Sequence, residues 1–289
     1  MRYGIAIWNY REQGTQLLDL IREFADFGFD CLSCQSRQLV HCEDSQAGEI
    51  VAALDERDLR VTMHGNFDMT QGEVETAVER LGDRLLTLTL DAAMTSNSCG
   101  HFYDSARMAR FLNEVEEITR GTSIRFGVED FPLDKEALDA YRSDLGALLE
   151  CDRYGMLLDL GHLNMRARKV AYFQQWGFPG NVTRAPLPVL EVHVHDNRGE
   201  RDDHGHLGFG NAPFAEIARG LREVGFDGVS TIEIAPSFHG SSPAESKPRA
   251  RQSLECWQRI WDRSAAPAVA AEGEAPVERC PGTEVWLGS

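Results

Sequence analysis

The sequence predicts an α/β protein built as a parallel eight-stranded (β/α)₈ TIM barrel with a C-terminal extension. Three observations predict it. Short apolar runs recur along the 289 residues, a longer stretch with helical periodicity follows each of them, and ionisable residues collect where the runs end. Strands alternating with helices imply parallel pairing through right-handed crossovers, and eight such units suit closure into a barrel, which typically takes about 250 residues.

The runs, in order, are Tyr3–Trp8, Asp30–Gln35, Arg60–His64, Leu85–Asp91, Ile124–Glu129, Gly155–Asp159, Val189–His195 and Gly228–Ile234. The first helix is expected over Gln16–Phe27, where Leu17, Leu18, Ile21 and Phe24 share a face. Similar patterns predict helices near 46–57, 72–82, 104–120, 134–150, 165–176, 212–225 and 249–262. Within the runs, apolar and polar residues alternate. Leu86, Leu88 and Leu90 take one face and Thr87, Thr89 and Asp91 the other, and Val192 and Val194 alternate with Glu191, His193 and His195. The barrel is expected to occupy 1–264. From Ala265 the Ala/Pro/Glu-rich composition reads as a low-complexity tail, 265–289.

Composition narrows the class. Hydrophobic residues make up 42% of the chain, enough for a core, and no run of about 18 apolar residues marks a membrane span. The first residues read as a strand rather than a secretion signal. Formal charge is 29 − 46 = −17, which argues against a nucleic-acid partner, since such binders present basic faces. Seven scattered cysteines read as reduced thiols and point to the cytoplasm. Cys31 and Cys34 have CxxC spacing, but they lie in a strand-like run with no second such pair, which fits a buried strand better than a zinc ribbon.

The chemistry-bearing residues end the runs: His64, Asp91, Glu129 with Asp130, Asp159 with His162, His193 with His195 and Asp196, and Glu233. That end of a barrel is where active sites are assembled from several strands. Glu233 lies between two isoleucines and Glu129 follows Phe-Gly-Val. A carboxylate buried in such a run is costly unless paired or metal-bound, so both read as ligands or catalytic groups. Asp159 reads the same way, with capping of the next helix as its alternative. His193 and His195 share a face, one suited to ligation and the other to substrate or a supporting role. Asp202 and His204 lie in a Gly-rich loop, and Arg198 in an Asn-Arg-Gly turn; alone these read as solvated loop residues or as further site groups. Oxygen and imidazole donors without thiolate suit Mn²⁺, Zn²⁺, Fe²⁺, Co²⁺ or Mg²⁺ rather than a sulfur site.

Three stretches, LLDLGHLN (157–164), VHVHDNRGERDDHGHLGFGN (192–211) and GFDGVSTIEI (225–234), resemble the xylose-isomerase-like barrel superfamily of sugar and sugar-phosphate isomerases and epimerases, which also holds endonuclease IV-type repair enzymes. They match its H-x-x-D element, its D-x-H-x-x-x-G-x-G loop and its last-strand glutamate, and the resemblance runs from the first strand to about residue 262. It implies a divalent-metal site made by Glu129, Asp159, His193 and Glu233, with Glu129 and Glu233 as the acid–base pair. His162 would be a catalytic group orienting a substrate oxygen. His64, His162, Asp202 and His204 match ligands of further metals in multi-metal members, and His195, Arg198 and Asp91 are candidates for substrate contact. Where the repair enzymes place a histidine at the end of the fourth strand, this chain has Asp91, with His101 ten residues on. That departure weighs against a full three-metal site.

The leading expectation is a metal-dependent isomerase or epimerase of a sugar, sugar phosphate or polyhydroxy carbonyl compound. Alternatives are a multi-metal hydrolase or phosphodiesterase, a dehydratase or lyase, and a non-catalytic metal- or ligand-binding barrel. The expected partner is a small carbohydrate-like molecule, and pairing of outer helices into a homodimer is an expected assembly.

Overall fold

In the computed structural model, residues 1–11, 16–65, 69–91, 95–97, 100–102, 105–130, 138–139 and 142–265 are described. Eight parallel strands close into a barrel in the order β1-β10-β9-β8-β7-β4-β3-β2. They are β1 (Arg2–Ala6), β2 (Cys31–Gln35), β3 (Arg60–Gly65), β4 (Leu85–Leu90), β7 (Arg125–Glu129), β8 (Tyr154–Asp159), β9 (Val189–Val194) and β10 (Val229–Ile232). The expected closure therefore holds, each predicted run overlapping one barrel strand. A short antiparallel hairpin, β5 (Thr95–Asn97) and β6 (Gly100–Phe102), was not foreseen. His101 lies in it, paired with Ser96.

The described chain clusters into two compact units. The first is Met1–Asp159, Ala185–His193 and Asp227–Glu233, and the second is Leu160–Arg184, Val194–Phe226 and the residues from Ile234 onward. In the first, helix Leu17–Asp26 buries Leu17, Leu20, Ile21 and Phe24, each contributing roughly 1.5–3 kcal/mol before chain entropy is counted. Helix Gln71–Leu81 begins at Thr70, whose hydroxyl accepts the Glu73 N–H at 3.3 Å while the Glu73 carboxylate accepts the Thr70 N–H at 2.7 Å. In the second, helices Gly177–Thr183, Phe214–Glu223 and Pro243–Arg263 pack in series, and Gly220 lets Val182 and Pro179 approach closely.

The expected helix 165–176 is instead Leu160–Lys169 and Ala171–Gln174. The chain passes from β8 straight into Leu160–Lys169, so His162 sits in a first helical turn rather than at a strand end. The apolar residues Leu160 and Leu163 bury one face of that turn. The expected helix 134–150 is described only in part, as Arg142–Leu145 and the 3₁₀ turn Gly146–Glu150. The tail beyond Ala265 lies outside the described residues. Cys31, Cys34, Cys42 and Cys151 are free thiols, whereas Cys256 is disulfide-bonded, a correction to the reading of reduced thiols throughout.

The barrel interior is layered. On β3, β4, β8 and β9 the inward positions two residues apart are Thr62 and His64, Thr87 and Thr89, Leu157 and Asp159, and Glu191 and His193, and on β10 Thr231 is followed by Glu233 just past the strand end, all of them buried. β7 contributes Gly127 and Glu129. A Cβ on Gly127 would stand 2.0 Å from the Gly155 carbonyl oxygen, so the β7–β8 pairing requires glycine there. We expect Gly127→Ala to destabilise the protein by about 1–3 kcal/mol, the usual cost of overpacking, read as a lower denaturation midpoint in urea.

Candidate metal centre

The sequence-predicted residues fall into two groups. In the first unit, Asp159, His193 and Glu233 each offer a ligand atom within 4.8 Å of the others, and so do His64, Asp91 and Glu129. Strand register brings them together: Asp159 stands opposite His193 across β8 and β9, and His64 opposite Thr89 across β3 and β4. The His193 Nδ1 lies 2.9 Å from Glu233 Oε2. The His64 Nε2 lies 3.1 Å from Asp91 Oδ1 and 3.7 Å from Glu129 Oε2, and its Nδ1 lies 3.3 Å from the Thr89 hydroxyl. The two imidazoles are themselves neighbours, with ring centroids 5.3 Å apart.

Charge balance tests whether a cation fits. Glu129, Asp159 and Glu233 are buried together, and carboxylates so placed need compensating positive charge. The two imidazoles respond to that need. Burial pushes the His64 imidazole down, but the hydrogen bond and charge of Asp91 and the charges of Glu129 and Glu233 outweigh it, raising His64 to about 10. His193 is also raised: burial opposes the shift and the charges of Glu233 and Glu191 drive it. The pocket therefore draws positive charge onto its histidines, and a divalent cation held by the same oxygens and imidazoles meets the same demand. The residues fit the expected metal.

Three contributors carry no role in the sequence reading. Trp8 follows β1, and its ring lies 6.1 Å from that of His64 and 6.0 Å from that of His193. Its signal was its place at the end of the first apolar run. Asp130, buried next to Glu129, accepts the Asp159 backbone N–H at 3.2 Å and so ties β8 to the turn after β7. The third is Glu191, two residues before His193.

The second unit gathers His162, His195, Asp202 and His204. Asp202 Oδ2 lies 3.1 Å from His162 Nε2 and 3.0 Å from His204 Nε2, and these three could hold an ion. The His195 ring stacks on that of His204 at 4.0 Å, and its Nε2 is 3.8 Å from Asp202 Oδ1. Gly161 makes room for it, because a Cβ there would stand 1.9 Å from His195 Cε1. Asp196 organises the loop. Its carboxylate accepts N–H groups of Gly208 at 3.0 Å, Gly210 at 2.8 Å and Ala212 at 3.1 Å, and its backbone exchanges two hydrogen bonds with Gly205. His204 takes a left-handed backbone, φ 44°, and its carbonyl accepts the Ala235 N–H at 3.0 Å. Arg198 is exposed, with its guanidinium 5.1 Å from the centre of the Phe209 ring.

The fold is a closed (β/α)₈ barrel carrying clusters of His, Asp and Glu that could hold a divalent metal ion. Residues 21–260 match the family described as Xylose isomerase-like TIM barrel, and the chain belongs to that family. Among solved structures it is similar to D-psicose 3-epimerase from Clostridium cellulolyticum H10, crystallised with D-tagatose. The TM-score is 0.69 at 16% identity, over 90% of this chain and 99% of that one. It is also similar to the IOLI protein, solved with a bound zinc atom, with a TM-score of 0.65 at 14% identity over 92% of this chain and 100% of that one. A curated relative, the uncharacterised protein MJ1311 of Methanocaldococcus jannaschii, is 29% identical over 125 residues, 42% of this chain and 41% of that protein. The match thus spans less than half the length of that relative. Among the described residues, no helix is long and apolar enough to cross a membrane.

The histidine shift sets a pH test. In metal-free protein the folded His64 value of about 10 lies above the unfolded value of about 6.5. Its proton therefore contributes stability that is fully present below pH ~6.5 and lost as pH rises towards ~10. After chelation, the thermal-stability advantage of the wild type over His64→Gln is expected to be largest near pH 6 and to shrink steadily to pH 10. An advantage that stays constant across that range would contradict the assignment.

Proposed function

We propose that this protein is a divalent-metal-dependent isomerase or epimerase acting on a sugar, sugar phosphate or related polyhydroxy carbonyl compound. The observation that carries the reading is the buried convergence of Asp159, His193 and Glu233 at the carboxyl ends of three neighbouring strands, with Glu129 and His64 in the adjoining cluster of the same unit. When bound, the metal supplies Lewis-acid polarisation of a hydroxy-carbonyl unit, which makes the neighbouring C–H more acidic.

The chain's own residues do the rest. Asp159 and His193 hold the ion, and Asp130 keeps the Asp159 backbone in place through its N–H. Glu233 and Glu129 form the proton-handling pair. One carboxylate removes the proton beside the carbonyl, and the other returns a proton to the opposite face or to the adjacent carbon. Asp91, only 3.1 Å from His64, is a candidate for substrate hydroxyls. His162, which the family resemblance matches to a histidine contacting substrate or a further metal, is proposed to orient a substrate oxygen, and His195 and Arg198 are candidates for substrate contact. A structural relative that is an epimerase and another that binds zinc support this reading. The proposal includes a small carbohydrate-like partner rather than nucleic acid, assembly as a homodimer and a cytoplasmic setting.

The test is a screen of metal-loaded protein on ketoses and their phosphates in D₂O. Turnover with deuterium entering at the carbon beside the carbonyl is expected, and Glu129→Gln should lower kcat about 10²–10⁴-fold. No turnover or exchange on any ketose or phosphate would overturn the reading.

A second reading, multi-metal hydrolysis, is favoured by the His162–Asp202–His204 cluster. Metal analysis of wild type and of the double variant Asp202→Ala/His204→Ala separates the two. One ion in both supports the isomerase; two or more in the wild type, with loss of one in the variant, supports the hydrolase.

A further inference from the structure

Among the described residues, the barrel interior holds a carboxylate that the proposed chemistry leaves unused. Glu191 is 1% exposed and projects from β9 on the same face as His193. Thr62 and Thr231 donate their hydroxyls to its Oε1 at 2.8 and 2.7 Å, and Thr87 donates to its Oε2 at 2.7 Å. The three threonines come from β3, β10 and β4, so the carboxylate is clamped from three separate strands. Barrel interiors are ordinarily filled by branched apolar side chains. Well-packed apolar residues in place of a buried charge are often neutral or stabilising, so stability by itself does not account for this arrangement.

The geometry gives it a task. Glu191 Oε1 lies 3.8 Å from His193 Nε2, and the other ring nitrogen, Nδ1, lies 2.9 Å from Glu233 Oε2. The Nε2 atom is buried and makes no hydrogen bond among the described residues. One nitrogen of the ring thus faces the clamped anion, and the other faces the cluster that includes Asp159 and Glu233. Both nitrogens face a carboxylate, Glu233 the nearer; once a cation held by Glu233 takes the Nδ1 lone pair, the remaining ring N–H is the one directed at Glu191. Carboxylates hydrogen-bonded behind a metal-binding histidine fix its ring and raise its basicity; Glu191, at 3.8 Å, stands behind Nε2 as a clamped negative charge rather than a hydrogen-bond partner.

We propose that Glu191, clamped by Thr62, Thr87 and Thr231, is a positioning residue that holds the His193 imidazole with Nδ1 presented to the metal. This rests on the reading of His193 as a metal ligand. Glu191 touches no substrate and moves no proton in the reaction. It acts through His193 alone.

The test uses the full chain as wild type, Glu191→Gln, Thr87→Val and His193→Ala, each stripped of metal and titrated with Co²⁺ against a chromophoric chelator. Circular dichroism checks the fold. The wild type is expected to bind Co²⁺ and His193→Ala to lose that binding. Glu191→Gln should keep the fold, bind about 10–100-fold more weakly and show a shifted Co²⁺ visible spectrum, which a purely structural role would leave alone. Thr87→Val, with the clamp loosened at one oxygen, should weaken binding severalfold. Wild-type affinity and an unchanged spectrum in Glu191→Gln, or in Thr87→Val should Glu191→Gln fail to fold, would overturn the proposal while leaving His193 as a ligand. Binding unaffected by His193→Ala, or absent from the wild type, would overturn the ligand reading and this proposal with it.

Discussion

Negative charge buried inside a closed sheet is the constraint on which the rest of the first unit depends. Glu129, Asp159, Glu191 and Glu233 all point into the barrel and are nearly sealed from water. Isolated there, each would cost several kcal/mol. Two solutions are visible, in adjacent layers. In one layer Glu191 is satisfied by three threonine hydroxyls. In the other, the carboxylates are balanced by imidazoles whose affinity for protons rises in response. The first satisfies its carboxylate with hydroxyls alone. The second remains a place that favours added positive charge.

The second unit solves a different problem, which is to hold a glycine-rich loop in one shape without strands or helices. Asp196 does this by accepting three backbone N–H groups through its side chain and by a two-bond bridge to Gly205 through its backbone. Burial pushes the Asp196 carboxyl up, while the N–H donors oppose that shift. Asn197 extends the scaffold, donating to the Gly161 carbonyl at 2.9 Å and accepting the Gly199 N–H at 2.9 Å. His162, Asp202 and His204 are thereby gathered from two segments about 40 residues apart, and the aspartate of the H-x-x-D element is the loop's anchor.

The chemistry proposed for such a site begins with removal of a proton beside a carbonyl, a step shared by isomerases, epimerases and dehydratases. Which product follows depends on where the proton returns and whether a hydroxyl leaves, and so on the placement of the second carboxylate relative to substrate. Fold membership alone does not choose among these outcomes.

Much of this was legible in the chain itself. Period-two alternation in Leu86–Asp91 and Glu191–His195 announced strands with one polar face, and eight runs separated by helical periodicity announced closure, because local hydrophobic patterning is what decides strand and helix. The strand-end positions of His64, Glu129, Asp159, His193 and Glu233 were likewise readable, since a barrel places those ends on one rim. Other features were set only by tertiary structure. The sequence marks Glu191 as polar and inward, but its clamp needs Thr62, Thr87 and Thr231 brought together from distant positions by closure. Trp8 becomes a neighbour of two imidazoles only when β1 joins the ring of strands. Asp91 looked like a departure from a metal-binding pattern, yet it lies against His64, because register across β3 and β4, and not residue type, decides which side chains meet.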